Sequence, residues 1–279
     1  MPRKEHLMLS DITLGQYFPG NSVIHKLDPR FKLVCIILYI VGVFSASSFE
    51  ALALVILATA AVVLLSGLGI STIARSLKPI VFILAFTMIA NILWTGGETP
   101  LIKFWVITIY PEGIIFAVFT AVRIICLVIG TFVLLTYTTS PVALTDAIER
   151  LLSPLKKIGV PVHEFSMMMT IALRFIPTLI EETQKIINAQ KARGADFESG
   201  NLFQRAKALV PILIPLFVSA FRRADELASA MECRLYHGGE GRTRMKIMKA
   251  STRDFVSLAV FGAFAVLLVC SRMVFGSVI

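Results

Sequence analysis

Two arginines stand at matching places in the second half of the chain. Arg193 follows Ala189-Gln190-Lys191-Ala192 and precedes Gly194. Arg234 follows Ala230-Met231-Glu232-Cys233 and precedes Leu235, so the two lie 41 residues apart. A guanidinium presents five donors in a planar fork, which suits docking on carboxylates and carbonyls of another protein. The competing explanation is local. An arginine in a last helical turn complements the macrodipole, and a glycine such as Gly194 is the usual residue just past a helix end. That explanation is weaker at Arg234, because Gly238-Gly239 come only later. A third arginine, Arg123, falls inside an apolar run. A charge at that depth is costly. It either marks function or pairs with a carbonyl or polar group of a neighbouring helix.

Little else has the spacing of a reactive site. His6, His25, His163 and His237 are scattered. Cys35, Cys126, Cys233 and Cys270 form no CxxC, so neither a metal centre nor a disulfide framework is indicated. The run Gly238-Gly239-Glu240-Gly241-Arg242-Thr243-Arg244 lacks the P-loop pattern and reads as a flexible basic turn. With no nucleotide motif, any energy must come from a partner. Met167-Met168-Met169 reads as adaptable packing. No feature calls for nucleic acid.

The elements that hold these residues are helical. After Pro215, residues Leu216, Phe217, Ala220, Phe221, Ala224, Leu227, Ala228 and Met231 recur at helical spacing, with charges between them. Ala220, Ala224 and Ala228 make a ridge of small residues that lets another helix come close. After Pro177, Leu179, Ile180, Thr183, Ile186 and Ile187 repeat the design. The two segments form a weak internal repeat, each tipped with a cation.

Composition supplies the setting. The 279 residues are 56% hydrophobic and 16% charged, with a net charge of +9 and a mean hydropathy of +0.80. A soluble domain carries about 45–50% apolar and about 25% charged residues. An ordinary soluble enzyme, a disordered chain and a secreted disulfide scaffold are excluded. A polytopic membrane protein remains.

Five stretches have the length and composition of spans: 33–49, 51–70, 79–95, 113–137 and 255–273. Between the third and fourth, residues 101–110 are too few to cross and read as a folded external loop, with a short β-hairpin arm as one form. No cleavable signal peptide is expected. Of the 27 basic residues, 24 fall before the first span, between spans two and three, or in the segment 138–254. The positive-inside rule makes these regions cytoplasmic, with the N-terminus inside and the C-terminus outside. The same regions carry the whole +9. Two further apolar patches, 165–180 and 208–221, are interrupted by Arg174 and Pro177 and by Pro211 and Pro215. We read both as lying in or below the cytoplasmic interface, the alternative being that they cross. The expected organisation is a cytoplasmic segment 1–32, four spans in 33–137, a coupling-helix module in 138–254, and a fifth span from 255. The fold class is all-α and polytopic.

Several motifs together resemble one family. They are His25-Lys26-Leu27-Asp28-Pro29-Arg30, Thr138-Thr139-Ser140-Pro141, the run from Met168 to Pro177, Ala192-Arg193-Gly194, and the glycine-rich turn beginning at Gly238. Over nearly the whole chain the sequence is similar to the transmembrane coupling subunit (T component) of energy-coupling factor transporters, bacterial and archaeal importers of vitamins and trace metals. The resemblance implies that two cytoplasmic ATPases, using ATP and Mg, dock on Arg193 and Arg234, with Ala192, Gly194 and Cys233 beside them. It implies a separate membrane-embedded S component that binds substrate and packs on the coupling helices, for which Ala220, Ala224, Ala228, Met168 and Met169 are candidates. This chain would bind no cofactor, perform no catalysis, and sit in the bacterial plasma membrane. The second motif departs from the family pattern: Cys233 replaces alanine, and Leu235 replaces glycine, which is expected to remove access to positive φ. The glycine-rich turn resembles the shared vitamin-importing group more than dedicated metal or biotin importers. A membrane enzyme would need converging catalytic groups, and Arg123 has no acidic or histidine partner in the spans. A stand-alone carrier usually shows inverted repeats, and none is visible.

Overall fold

The computed structural model describes residues 17–96, 102–104, 107–197, 201–238, 248 and 250–275. Helix α1 (Pro29–Ser45) begins at a proline in its first turn. The Asp28 carboxylate caps it by accepting from the Arg30 N–H at 3.0 Å. After a short link, α2 (Phe49–Ser66) is capped by the Ser48 hydroxyl and stopped by Gly67 at φ +66°. The expected third span is a bent pair, α3 (Ile70–Leu77) and α4 (Val81–Trp94), at 58°. Helix α3 is amphipathic and buries Ile73 and Ser76, whereas α4 is almost wholly apolar and has no fully buried residue. The expected hairpin is present as β1 (Ile102–Phe104) and β2 (Ile107–Ile109), antiparallel with Lys103 opposite Thr108. It is the one departure from all-α among the described residues.

Helix α5 (Pro111–Thr131) runs on through a π-helical turn, Phe132–Thr136. Then come α6 (Pro141–Leu151), a 3-10 segment (Ser153–Ile158), α7 (Val162–Ala192), α8 (Leu202–Cys233) and α9 (Thr252–Phe275). Among the described residues, four helical stretches are long and apolar enough to cross a membrane, or five if α3 and α4 form one broken span. The set differs from expectation in two places. At 17 residues α1 stands at the lower end of the length that spans a bilayer, about 17–25 residues, and Phe203–Cys233 qualifies. The second difference arises because the prolines do not break the helices. Pro177 lies inside α7, and Pro211 and Pro215 lie inside α8. Each apolar patch is therefore continuous with the amphipathic segment that follows it.

The chain divides into two compact units. One comprises Gln16–Ala147 and Ile247–Ile279, the other Ile148–Lys246. In the first unit α1 packs along α9 and also meets α2 and α5, around a core that includes Tyr39, Val43, Val55, Val133 and Leu268. Tyr39 is fully buried. Its hydroxyl donates to the Cys126 carbonyl at 2.7 Å and lies 2.8 Å from the Thr59 hydroxyl, and its ring stacks on Phe264. Gly130 makes room for that ring. A Cβ there would sit 2.6 Å from the Tyr39 hydroxyl oxygen. Gly130→Ala should therefore cost about 2–3 kcal/mol through overpacking and loss of these hydrogen bonds. Thermal unfolding in detergent measures it, and Gly262→Ala, which meets nothing within 4 Å, is the matched control.

Candidate functional site

Helices α7 and α8 form an antiparallel pair within the second unit. Glu182 on α7 meets Arg223 on α8 at 3.0 Å. Further along, the Gln190 side chain donates to the Pro211 carbonyl at 3.4 Å. That carbonyl is the one left without its helical donor by Pro215, four residues on. The pair thus satisfies across its seam a group that the proline frees. The ion pair is about a third exposed on each side and contributes at most about 1 kcal/mol.

Both arginines of the repeat occupy the same backbone position. Arg193 is the cap residue of α7 and Arg234 that of α8, with φ, ψ of −87°, 7° and −94°, 14°. After Arg193, the Gly194 N–H bonds to Lys191 O at 3.0 Å and the Ala195 N–H to Gln190 O at 3.0 Å. After Arg234, the Leu235 N–H bonds to Glu232 O at 2.9 Å and the Tyr236 N–H to Met231 O at 3.1 Å. Each set is a Schellman motif, which requires positive φ at the residue after the cap. Gly194 supplies φ +87° and Leu235 φ +54°. The expectation that leucine closes off positive φ is therefore corrected: Leu235 adopts it. The hydrophobic contact that accompanies such caps is available at the second end, where Met231 and Tyr236 hold the two positions, and not at the first, where Gln190 and Ala195 do.

A side chain in the left-handed region costs roughly 1–2 kcal/mol. Leu235→Gly should accordingly raise stability by about 1 kcal/mol, and Gly194→Leu should lower it by a similar amount. Thermal shifts of the two variants check both signs.

Ala192, Arg193, Gly194, Cys233 and Arg234 are all exposed. The backbone makes the caps, so the two guanidinium groups are not consumed by them. Because the helices are antiparallel, the arginines lie at opposite ends of the pair. Arg193 is abreast of the start of α8, so at 1.5 Å per residue the separation is roughly 40 Å. The other face residues follow α8 and α7. Ala224 and Ala228 are exposed and Ala220 is half-buried. Met168 and Met169 are also exposed, Met168 by 58%. Around Ala220 the apolar surface continues over Ile214, Phe217, Val218 and Phe221, all exposed.

Arg123 belongs to the first unit and to none of this. Its guanidinium donates to the Ala46 carbonyl at the end of α1 and lies 4.8 Å from the centre of the Phe119 ring. It serves as a C-terminal cation for α1, the pairing with a neighbouring carbonyl that was one of the two expected outcomes.

The polar centre that sequence reasoning missed lies where α1 and α9 begin and α5 ends. Lys32, 2% exposed, donates to Thr138 O at 2.9 Å, Thr138 Oγ1 at 3.2 Å and Thr139 Oγ1 at 3.2 Å. Asp254, equally buried, accepts from the Asp28 N–H at 2.8 Å and the Ser251 N–H at 2.7 Å. Arg30 binds Asp28 through two nitrogens and reaches the Met248 carbonyl. Two cations and two carboxylates balance. The signal was available in the Asp28–Arg30 and Thr138–Thr139 motifs, but nothing in the sequence pairs them. The glycine-rich turn from residue 239 to 247 lies outside the described residues.

The geometry defines a multi-pass helical membrane protein with a paired-helix module that presents a cation at each end. Among the described residues no cluster of three or more His, Cys, Asp or Glu is placed to hold a metal. Residues 20–246 match the family model described as cobalt transport protein, CbiQ. The chain is also similar to the energy-coupling factor transporter transmembrane protein EcfT of Clostridium kluyveri, 55% identical over 264 residues, 94% of this chain and 96% of that one. The proteins of the same name from Ruminiclostridium cellulolyticum and Bacillus subtilis are 50% and 46% identical, covering 96% and 92% of this chain and 100% and 97% of their own. The chain belongs to this family of transporter transmembrane components.

Proposed function

We propose that this chain is the coupling subunit of an ATP-driven importer. Two cytoplasmic ATPase subunits, which hold the ATP and Mg, dock on its two ends, one at Arg193 and one at Arg234. A membrane-embedded S component packs on the exposed faces of α7 and α8 and brings the substrate, a vitamin or related micronutrient. Motion of the ATPases on nucleotide binding and hydrolysis shifts the helix pair and reorients the S component. A dedicated metal or biotin importer is the second reading; the glycine-rich turn favours the shared type. The N-terminus and the helix pair lie on the cytoplasmic side of the bacterial plasma membrane, because that placement puts 24 of 27 basic residues inside.

One observation carries this reading. Two exposed arginines sit on geometrically equivalent caps at opposite ends of an antiparallel pair, on the order of 40 Å apart. That spacing suits two lobes of one partner assembly better than a single small-molecule pocket. The test is purification of the tagged chain in mild detergent. The ATPases should accompany the wild-type chain and be lost with Arg193→Glu plus Arg234→Glu. Retention of the ATPases by the double variant would refute the docking assignment.

A further inference from the structure

The two ends of the helix pair share a backbone design but not a surface. Beyond Arg193 stands Gly194, and a Cβ built there meets nothing within 4 Å. Beyond Arg234 stands Leu235, an apolar side chain 78% exposed and held at φ +54°. Beside it opens a pocket of about 470 Å³ lined by Met167 of α7, Met231 and Arg234 of α8, and Tyr236 and His237 of the following turn. The turn is held in shape from within. The His237 Nδ1–H donates to the Leu235 carbonyl at 2.8 Å, and the Tyr236 N–H bonds to Met231 O.

An exposed leucine in the left-handed region is unfavourable twice over, in backbone energy and in apolar surface. Glycine would remove both costs. Covering the leucine with another protein offsets the second. The adjoining pocket is framed by two methionines, whose unbranched thioethers adapt to an incoming side chain. It is also continuous with the guanidinium that marks the docking point. Among the described residues, the neighbours at the Arg193 end are Lys191, Ala192 and Ala195, none of them a large apolar side chain.

We propose that the two docking points are chemically different. The Arg193 end takes a polar groove alone. The Arg234 end takes an ATPase surface that covers Leu235 and inserts an apolar side chain between Met167, Met231 and Tyr236, next to an acceptor for Arg234. Leu235 and Met231 are then specificity residues that tell one ATPase contact from the other. This rests on the docking role proposed above.

The experiment uses the full chain in lipid nanodiscs and the ATPase subunits that co-purify with it. ATPase dissociation is followed for wild type, Leu235→Gly, Met231→Gln and Arg193→Glu plus Arg234→Glu. Leu235→Gly and Met231→Gln should each speed dissociation about tenfold. Leu235→Gly should do so while raising the melting temperature of the isolated chain, which separates a lost contact from a damaged fold. Wild-type dissociation in both variants, with the arginine pair still required, would overturn this inference and leave the docking role standing. If the arginine double variant also dissociates at the wild-type rate, or no ATPase co-purifies, both readings fall.

Discussion

Reversing both cap arginines, Arg193→Glu with Arg234→Glu, is expected to abolish ATP-driven uptake in cells or proteoliposomes. Substrate binding by the S component alone should survive. Each desolvated arginine contact at an interface is worth about 2–4 kcal/mol, which is roughly 30- to 1000-fold in affinity at about 1.4 kcal/mol per decade. A single reversal leaves the other end attached, so Arg193→Glu or Arg234→Glu alone should retain measurable uptake. The double variant loses both anchors, and the losses compound. Structural damage is a poor rival explanation here. The Schellman bonds are made by backbone groups on both sides of each arginine, and the side chains are exposed. A glutamate at a helix C-terminus does oppose the macrodipole by about 0.3–1 kcal/mol. Arg193→Gln with Arg234→Gln removes that complication and should still lose most uptake. Normal uptake in the glutamate pair would sink the coupling role.

The elements were legible where apolar length or punctuation marked them. The first two helices start at Pro29 and Phe49, a few residues ahead of the apolar runs, because the Asp28 and Ser48 side chains cap them, and the residues between the third and fourth spans form the short hairpin. Continuity was not legible at Pro177, Pro211 and Pro215. Proline normally ends a helix by withholding a donor, and here the freed Pro211 carbonyl is met by Gln190 from the neighbouring helix, a tertiary contact with no local sign. The arginine repeat could be read from spacing alone, but the equivalence of its two ends could not. Leucine and glycine differ by propensity, and only the Met231–Tyr236 side of the cap favours holding Leu235 in the left-handed region. Lys32 counted as a flanking charge in the topology. Its burial depends on Thr138 and Thr139, more than a hundred residues away in sequence.

That buried lysine carries the second large effect. Lys32→Met should destabilise the folded chain by about 3–5 kcal/mol, the usual cost of removing one member of a buried charge network. Methionine keeps the unbranched shape and so introduces little cavity. What it removes is three hydrogen bonds to acceptors with no access to water, and the cation that offsets Asp254 in a cluster of two cations and two carboxylates. Breaking one member leaves a net negative centre at the junction of α1, α5 and α9. The Thr138 hydroxyl also donates to the Leu134 carbonyl at 2.8 Å, so it has no freedom to turn towards another partner when the ammonium is gone. Unfolding in detergent, monitored by helicity, should show the loss, together with lower membrane yield. Adding Thr139→Val to Lys32→Met should restore about 1 kcal/mol, because a deleted partner costs less when its orphaned acceptor is deleted too. The same threonine substitution alone should be destabilising. A Lys32→Met chain as stable as wild type would mean that the ammonium is solvated rather than buried. The junction would then have to be held by the Asp254 and Asp28 bonds alone.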